Sequence, residues 1–229
     1  MRPTTTLARE TTRDGAEMIL YEHDGVYTLR VDGYELMSSR AHGSEDELAR
    51  LPCELIATRR APRVLVCGLG FGFTLRSALT HLPADAVVTV CEVFPHLVKW
   101  NRGILGELAG YPLRDRRVEV VEADVGSYLD RCGVFDAILL DVDNGPEAFT
   151  LRSNERLYDP RGVARLRDRL PPGGVLCVWS ATPSKSFERR LQKAGFRTET
   201  RKVAARTGGK GPAHYLFLAT AGKKTRPSG

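Results

Sequence analysis

The stretch "RVLVCGLGFGFTLRSAL", Arg63 to Leu79, passes from apolar residues into three glycines at alternate positions, Gly68, Gly70 and Gly72, and then into a helical pattern. Glycine at such a turn reaches positive φ and lets backbone approach a ligand closely. Strand, glycine turn and helix in that order form a cradle for a nucleotide-like group. Three acids follow at the ends of later apolar runs. Glu92 closes "AVVTVCE", Asp124 closes "RVEVVEAD" and Asp141 closes "FDAILLD". In an open parallel sheet, ligands sit outside the carboxyl ends of the strands, which is where these acids fall.

The spacing G-x-G-x-G departs from the dinucleotide pattern G-x-G-x-x-G. A nicotinamide enzyme needs the glycines and the acid on the second strand, and has no particular use for Asp124 or Asp141. A cofactor with adenosine and no pyrophosphate uses all of them. Glu92 can take the ribose hydroxyls, Asp124 the adenine amino group, and Asp141 faces the reacting centre. The layout points to an adenosylmethionine-type ligand. Each residue also has a plainer use: Asp124 would cap the helix that follows it, Glu92 would be an ordinary strand-end carboxylate, and Trp179, after "GGVLCV", would pack in the core.

Such side chains need a rigid frame, and the rest of the sequence supplies one. From Arg63 onward, the strand-like runs "RVLVCG", "AVVTVCE", "RVEVVEAD", "FDAILLD", "GGVLCVWS", "FRTETRKV" and "HYLFLAT" appear in turn. Helical stretches separate the first six, and only "AARTGGKGPA" separates the last two. This alternation predicts an α/β fold: a Rossmann-like, doubly wound seven-stranded sheet with its last strand antiparallel. Ahead of it, "EMILYEHDGVYTLRVDGYELMSS" alternates apolar and polar residues around Asp24-Gly25 and Asp32-Gly33, which predicts a small antiparallel β meander from Glu17 to Ser38. "SEDELARLPCELIATR" then opens a helix, with Ser44 and Glu47 as a capping box. Helix N-terminal electrostatics account for its acidic start without a catalytic role, and Pro52 is expected to kink or split it. The organisation is therefore residues 1–15 loose, 16–60 meander plus helix, 61–221 the adenosylmethionine-type domain, and 222–229 a basic tail.

Composition excludes several classes. The 229 residues are 42% hydrophobic and 27% charged, as in a globular protein. No apolar run is long enough to span a membrane, and the polar start lacks the apolar core of a secretory signal, so a cytoplasmic location is expected. The five cysteines, Cys53, Cys67, Cys91, Cys132 and Cys177, are scattered and never form a C-x-x-C pair. They read as buried reduced thiols, and no metal site is expected. The net charge of +6 is spread along the chain. It reads as a solvated surface, with only the tail "AGKKTRPSG" leaving a nucleic-acid partner open.

"VLVCGLGFGFTLRSAL", "VTVCEVFPHLVKWNR", "RVEVVEADVGSYL" and "FDAILLDVDNGPEAF" together resemble the spermidine synthase (polyamine aminopropyltransferase) family, as does "YELMSSRAHGSEDELA" before them. The resemblance implies that Gly68, Gly70 and Gly72 form the cofactor loop, that Glu92 holds the ribose, and that Asp124 lies near the adenine. It matches Asp141 to the first acid of the family's Asp-Ser-x-Asp-Pro loop, the proton acceptor from the substrate amine. Three departures stand out. Phe71 occupies the position of the family acid that pairs with the free amine of decarboxylated adenosylmethionine. The second acid of Asp-Ser-x-Asp-Pro falls near Asn144, with Asp143 beside it. The family's Tyr-His-Glu stretch has no clear match.

These changes remove anionic contacts, and the leading reading is an S-adenosylmethionine-dependent methyltransferase on a spermidine synthase-like fold. The alternative is an aminopropyltransferase that makes a polyamine from decarboxylated S-adenosylmethionine and a diamine. A third reading is a non-catalytic module that binds the nucleoside cofactor. The acceptor is expected to be a small molecule such as an amine, met by Asp143, Asn144 and Trp179. The resemblance also implies a homo-oligomer.

Overall fold

The structure is a computed structural model that describes residues 3–12, 15–142, 146 and 154–223. Two sheets divide it. The first is antiparallel, in the order β1-β2-β3-β4, made of β1 (Thr5–Thr11), β2 (Glu17–His23), β3 (Val26–Val31) and β4 (Tyr34–Ser38). Asp24 and Asp32 sit at positive φ ahead of Gly25 and Gly33, the conformation that a two-residue primed turn requires. The meander expected from Glu17 to Ser38 is present. Thr5–Thr11, read from sequence as loose, is a fourth strand. Its residues are mostly polar, and it is held by its ladder to β2 and by an Arg9–Glu17 ion pair.

The second sheet has seven strands: β5 (Arg63–Cys67), β6 (Val87–Glu92), β7 (Val118–Glu122), β8 (Ala137–Leu140), β9 (Val175–Ser180), β10 (Phe196–Arg206) and β11 (Lys210–Ala221). Their spatial order is β10-β11-β9-β8-β5-β6-β7. β11 runs antiparallel to both neighbours, and every other pair is parallel. The order reverses between β5 and β8, so the carboxyl ends of those two strands flank the switch point where such sheets bind ligands.

Helices cover both faces. α1 (Gly43–Ile56) and α2 (Phe73–His81) lie on one side. α3 (Pro95–Arg102) follows β6, and α4 (Val125–Leu129) follows β7. α5 (Glu155–Tyr158), α6 (Pro160–Asp168) and α7 (Lys185–Lys193) complete the set. The two-residue period of the strands divides the core. Val64 and Val66 pack with Leu48, Ala49, Cys53 and Leu75 on one face. Leu65 and Cys67 pack with Leu129, Leu166, Phe187 and Leu191 on the other. A third apolar cluster joins the small sheet to the glycine loop, bringing Met18, Leu20 and Leu29 against Phe71, Phe73 and Trp100.

α1 differs from its sequence reading in two ways. Pro52 lies inside the helix and does not split it, because Leu48, Ala49, Pro52, Cys53 and Ile56 form one buried stripe and tertiary burial outweighs propensity. The capping box is not formed: His42 is the N-cap, and no side chain caps the helix. All five cysteines are buried and free. Among the described residues, no helix is long and apolar enough to cross a membrane.

Candidate active site

The glycine loop leaves β5 and turns into α2. Gly68 has φ +89°, and a Cβ there would lie 2.3 Å from the Asp141 carbonyl oxygen. Only glycine lets the loop press this close to the end of β8. Gly72, at φ +86°, is the N-cap of α2. Gly70 accepts a hydrogen bond at its carbonyl from Asn101 Nδ2 at 2.9 Å, so α3 braces the loop.

Glu92 ends β6 almost fully buried and serves that loop directly. Its Oε2 accepts the Leu69 N–H and its Oε1 the Phe94 N–H, both at 2.8 Å. Burial raises its pKa, and the backbone donors oppose the rise. Glu92 also lines the cavity, where its carboxylate can face a ligand's hydroxyls. Asp124 is the N-cap of α4: its Oδ1 accepts the Ser127 N–H at 2.8 Å and the Ser127 hydroxyl at 2.9 Å. Asp124 also lines the cavity, so its capping role leaves the side chain open to a ligand.

That cavity has a volume of about 340 Å³ and lies over the carboxyl ends of β5, β6 and β8. It is within the range of small-molecule sites. Leu36 and Met37 of the small sheet close one side, with Leu69, Phe71, Phe73 and Phe94 adding apolar wall. Glu35, Glu45, Glu92, Asp124 and Asp141 also line it, and among the described residues no lysine or arginine does.

Asp141 stands just past β8. Its N–H donates to the Cys67 carbonyl at 3.0 Å, and its Oδ2 accepts the Thr74 hydroxyl at 3.0 Å. Desolvation pushes its pKa up, and the Thr74 bond pulls it down. Glu45, in the first turn of α1, faces the same cavity. Desolvation and then the Asp141 charge raise its pKa, while the Ser44 hydroxyl lowers it. Two carboxyls at one wall do not both ionise readily, so this end of the cavity favours a proton or a cation. Trp179 also lines it, and its ring meets His214 edge-on at 4.6 Å. Its indole N–H is buried with no acceptor among the described residues.

The cavity thus brings together Gly68, Gly70, Glu92, Asp124, Asp141 and Trp179, whereas Gly72, at the N-cap of α2, does not line it. Asp143 and Asn144 lie outside the described residues. Sequence reasoning missed Glu45, Thr74, Asn101 and His214. Glu45 was legible as part of an acidic run, which helix electrostatics explain without a catalytic role. His214 has no local signal at all: β11 brings it to the site by inserting beside β9.

Known proteins bear on this geometry. No family model matches the chain. A polyamine aminopropyltransferase of Pseudomonas aeruginosa is 30% identical over 172 residues, 69% of this chain and 44% of that protein. The chain therefore spans less than half of that relative's length. Among solved structures, a spermidine synthase in complex with the transition-state analogue AdoDATO superposes with a TM-score of 0.72, at 19% identity, over 95% of this chain and 72% of that one. The chain is spermidine synthase-like. Spermidine synthase from Thermotoga maritima gives a TM-score of 0.73 at 20% identity, over 95% of this chain and 73% of that one. Against this spermidine synthase-like frame, Phe71 is 3% exposed and packs in the cluster that joins the two sheets. A packing role thus accounts for it at the position where the resemblance leads one to expect an acid.

Proposed function

We propose that this chain is a transferase that moves an aminopropyl group from decarboxylated S-adenosylmethionine to a small amine. The observation that carries the reading is the charge of the cavity: Asp141 and Glu45 at one wall, Glu92 and Asp124 at another, and no lysine or arginine lining it among the described residues. A cofactor that keeps its carboxylate would meet only like charge from these side chains, whereas a decarboxylated sulfonium and an amine are both cations. The relatives named polyamine aminopropyltransferase support the same choice. This reverses the preference for methyl transfer drawn from sequence, which rested on Phe71 and on the broken second acid near Asn144.

In this reading Gly68, Gly70 and Gly72 let backbone approach the cofactor, Glu92 takes the ribose hydroxyls and Asp124 the adenine amino group. When bound, the cofactor supplies a carbon activated by an adjacent sulfonium. Asp141 receives one proton from the acceptor's ammonium, held by the Thr74 hydroxyl in a fixed rotamer. The freed nitrogen lone pair then forms the new C–N bond while the C–S pair returns to sulfur, leaving a neutral thioether. Alignment and proton removal are what the protein must contribute. Trp179 offers an apolar face to the acceptor's carbon chain.

Methyl transfer is the second reading, favoured by Phe71 and by Asn144 at the place of the second acid. Thermal unfolding separates the two with four ligands: decarboxylated adenosylmethionine, methylthioadenosine, adenosylmethionine and adenosylhomocysteine. A ligand at a hundred times its Kd adds about 2.7 kcal/mol, which moves the midpoint by several degrees in a chain of this size. Selective stabilisation by the first pair, followed by a new polyamine from a diamine, is the expected result. Selective stabilisation by the second pair would favour methyl transfer. Binding with no turnover of any acceptor would favour a non-catalytic module.

A further inference from the structure

Three side chains near Asp141 have no part in the reaction described above: Ser44, Glu45 and His214. Ser44 is fully buried. Its hydroxyl donates to Glu45 Oε2 at 2.7 Å and lies 2.9 Å from His214 Nδ1. These contacts join the first turn of α1 to β11, two elements far apart in the chain. The start of α1 is pinned there, since a Cβ on Gly43 would lie 2.6 Å from the Arg206 carbonyl carbon of β10.

The arrangement is not that of a nucleophilic serine. In such a triad the histidine stands between serine and carboxylate, and here the serine stands between the other two. A hydroxyl in that place has one proton and two partners. With Glu45 ionised, Ser44 donates to Glu45 and accepts from His214 Nδ1–H. With Glu45 protonated, Glu45 donates to Ser44 and Ser44 donates to His214 Nδ1. The two states differ by one proton and by the tautomer of His214. The titratable groups that face Glu45 are Asp141 from the end of β8, His214 through Ser44 from β11, and Asp46 from its own helix. Asp46 is already paired with Arg76 and His42. Burial lowers the pKa of His214, so a proton arriving there is readily released.

We propose that Glu45, Ser44 and His214 form a proton line that empties Asp141 after each transfer. The line rests on the amine transfer proposed above. Asp141 takes the proton that the acceptor's ammonium loses and passes it to the Glu45 carboxylate at the same end of the cavity. As Glu45 becomes protonated, His214 exchanges its Nδ1 proton for one on Nε2 through solvent, which leaves Nδ1 bare, and Glu45 then gives its proton to Ser44 Oγ as the Ser44 proton moves to His214 Nδ1. His214, now an imidazolium, releases its Nε2 proton to solvent. Glu45 ends as a carboxylate, Ser44 as a hydroxyl and His214 as the neutral Nδ1–H tautomer, so one proton has left and every bond is restored. All three residues act through Asp141 and touch no reacting atom.

The test compares wild type with S44A, E45Q and H214A in a diamine assay, and records the ¹⁵N shifts of His214 by NMR. S44A is expected to lower kcat about tenfold or more with KM within about twofold. Added imidazole is expected to restore kcat to H214A in a concentration-dependent way, which a packing role would not give. E45Q, which cannot ionise, is expected to move the His214 tautomer. If S44A does not fold, E45Q carries the kinetic arm. Wild-type kcat in the folded variant, an H214A rate indifferent to imidazole, or unchanged His214 shifts in E45Q would each overturn the line and leave amine transfer standing. A wild type that transfers to no amine would overturn both.

Discussion

Asp141 takes its hydrogen bond from Thr74, which sits on a different element and fixes the carboxyl without neutralising it. Asp141→Asn keeps the shape and removes the proton acceptor, so kcat should fall by about 10²- to 10⁴-fold, the range of a positioned base. The thermal midpoint should stay near or above that of wild type. A product assay beside a circular-dichroism melt checks both. Glu92 differs because it accepts two backbone N–H groups of the site. Glu92→Gln turns an NH₂ toward one of those donors, which should cost about 1–3 kcal/mol and weaken cofactor binding measured by calorimetry. Phe71→Asp puts back the acid that the family resemblance expects. Because Phe71 packs between the two sheets, the change should lower stability and leave affinity for the decarboxylated cofactor no better than wild type. Tighter binding in that variant would count against the packing explanation. At this scale the sequence reveals the acids that end apolar runs, since Glu92, Asp124 and Asp141 inherit their places from strands. It hides His214 and Glu45, because strand insertion and helix placement bring them together.

The elements were legible wherever a period held over several residues. Alternation gave β2, β3 and β4, and the β-α succession gave the seven-stranded sheet with one antiparallel strand. Two local rules failed at α1. Pro52 was absorbed by a buried stripe, and Ser44, the expected cap, turned to β11. Both failures have one cause: this helix is fixed by what it packs against and little by its own ends. β1 was missed because its residues are mostly polar and its ladder to β2 is a pairing that no local pattern reveals. The glycine loop yields the clearest prediction here. Gly68→Ala drives a Cβ into the end of β8 at a positive φ. It should cost about 1–3 kcal/mol in backbone strain alone and more from the collision. A denaturant melt should show the loss, and cofactor binding should fall with it.

Over the whole molecule the charge is uneven: the chain has a net +6 and keeps a cavity lined by five carboxylates. Glu45 and Asp141 have pKa values above those of an unfolded chain. The folded protein therefore binds these protons more tightly, and its stability should decline as pH rises from the ordinary carboxylate range through the raised values. Glu45→Gln removes one of the two groups, so its thermal midpoint should exceed that of wild type at mildly alkaline pH. The gap, about 2–4 °C for each kcal/mol, should close as the solution becomes acid. Equal midpoints across the range would mean that Glu45 is solvated.

The sheet order β10-β11-β9 sets a schedule for synthesis. Strands β5 to β9 can associate as they emerge, but among the described residues β10 pairs only with β11. It is made before its partner and must wait. Until the segment ending at Ala221 follows, β9 is an uncovered edge with Trp179 and His214 still apart, and the apolar row Leu216, Phe217 and Leu218 is absent from its place. At roughly 5–20 residues per second, that interval is of the order of seconds. A nascent chain halted after β10 should therefore be the species most readily captured by a chaperone or a protease, and the cavity should close only as the last strand slides between its neighbours.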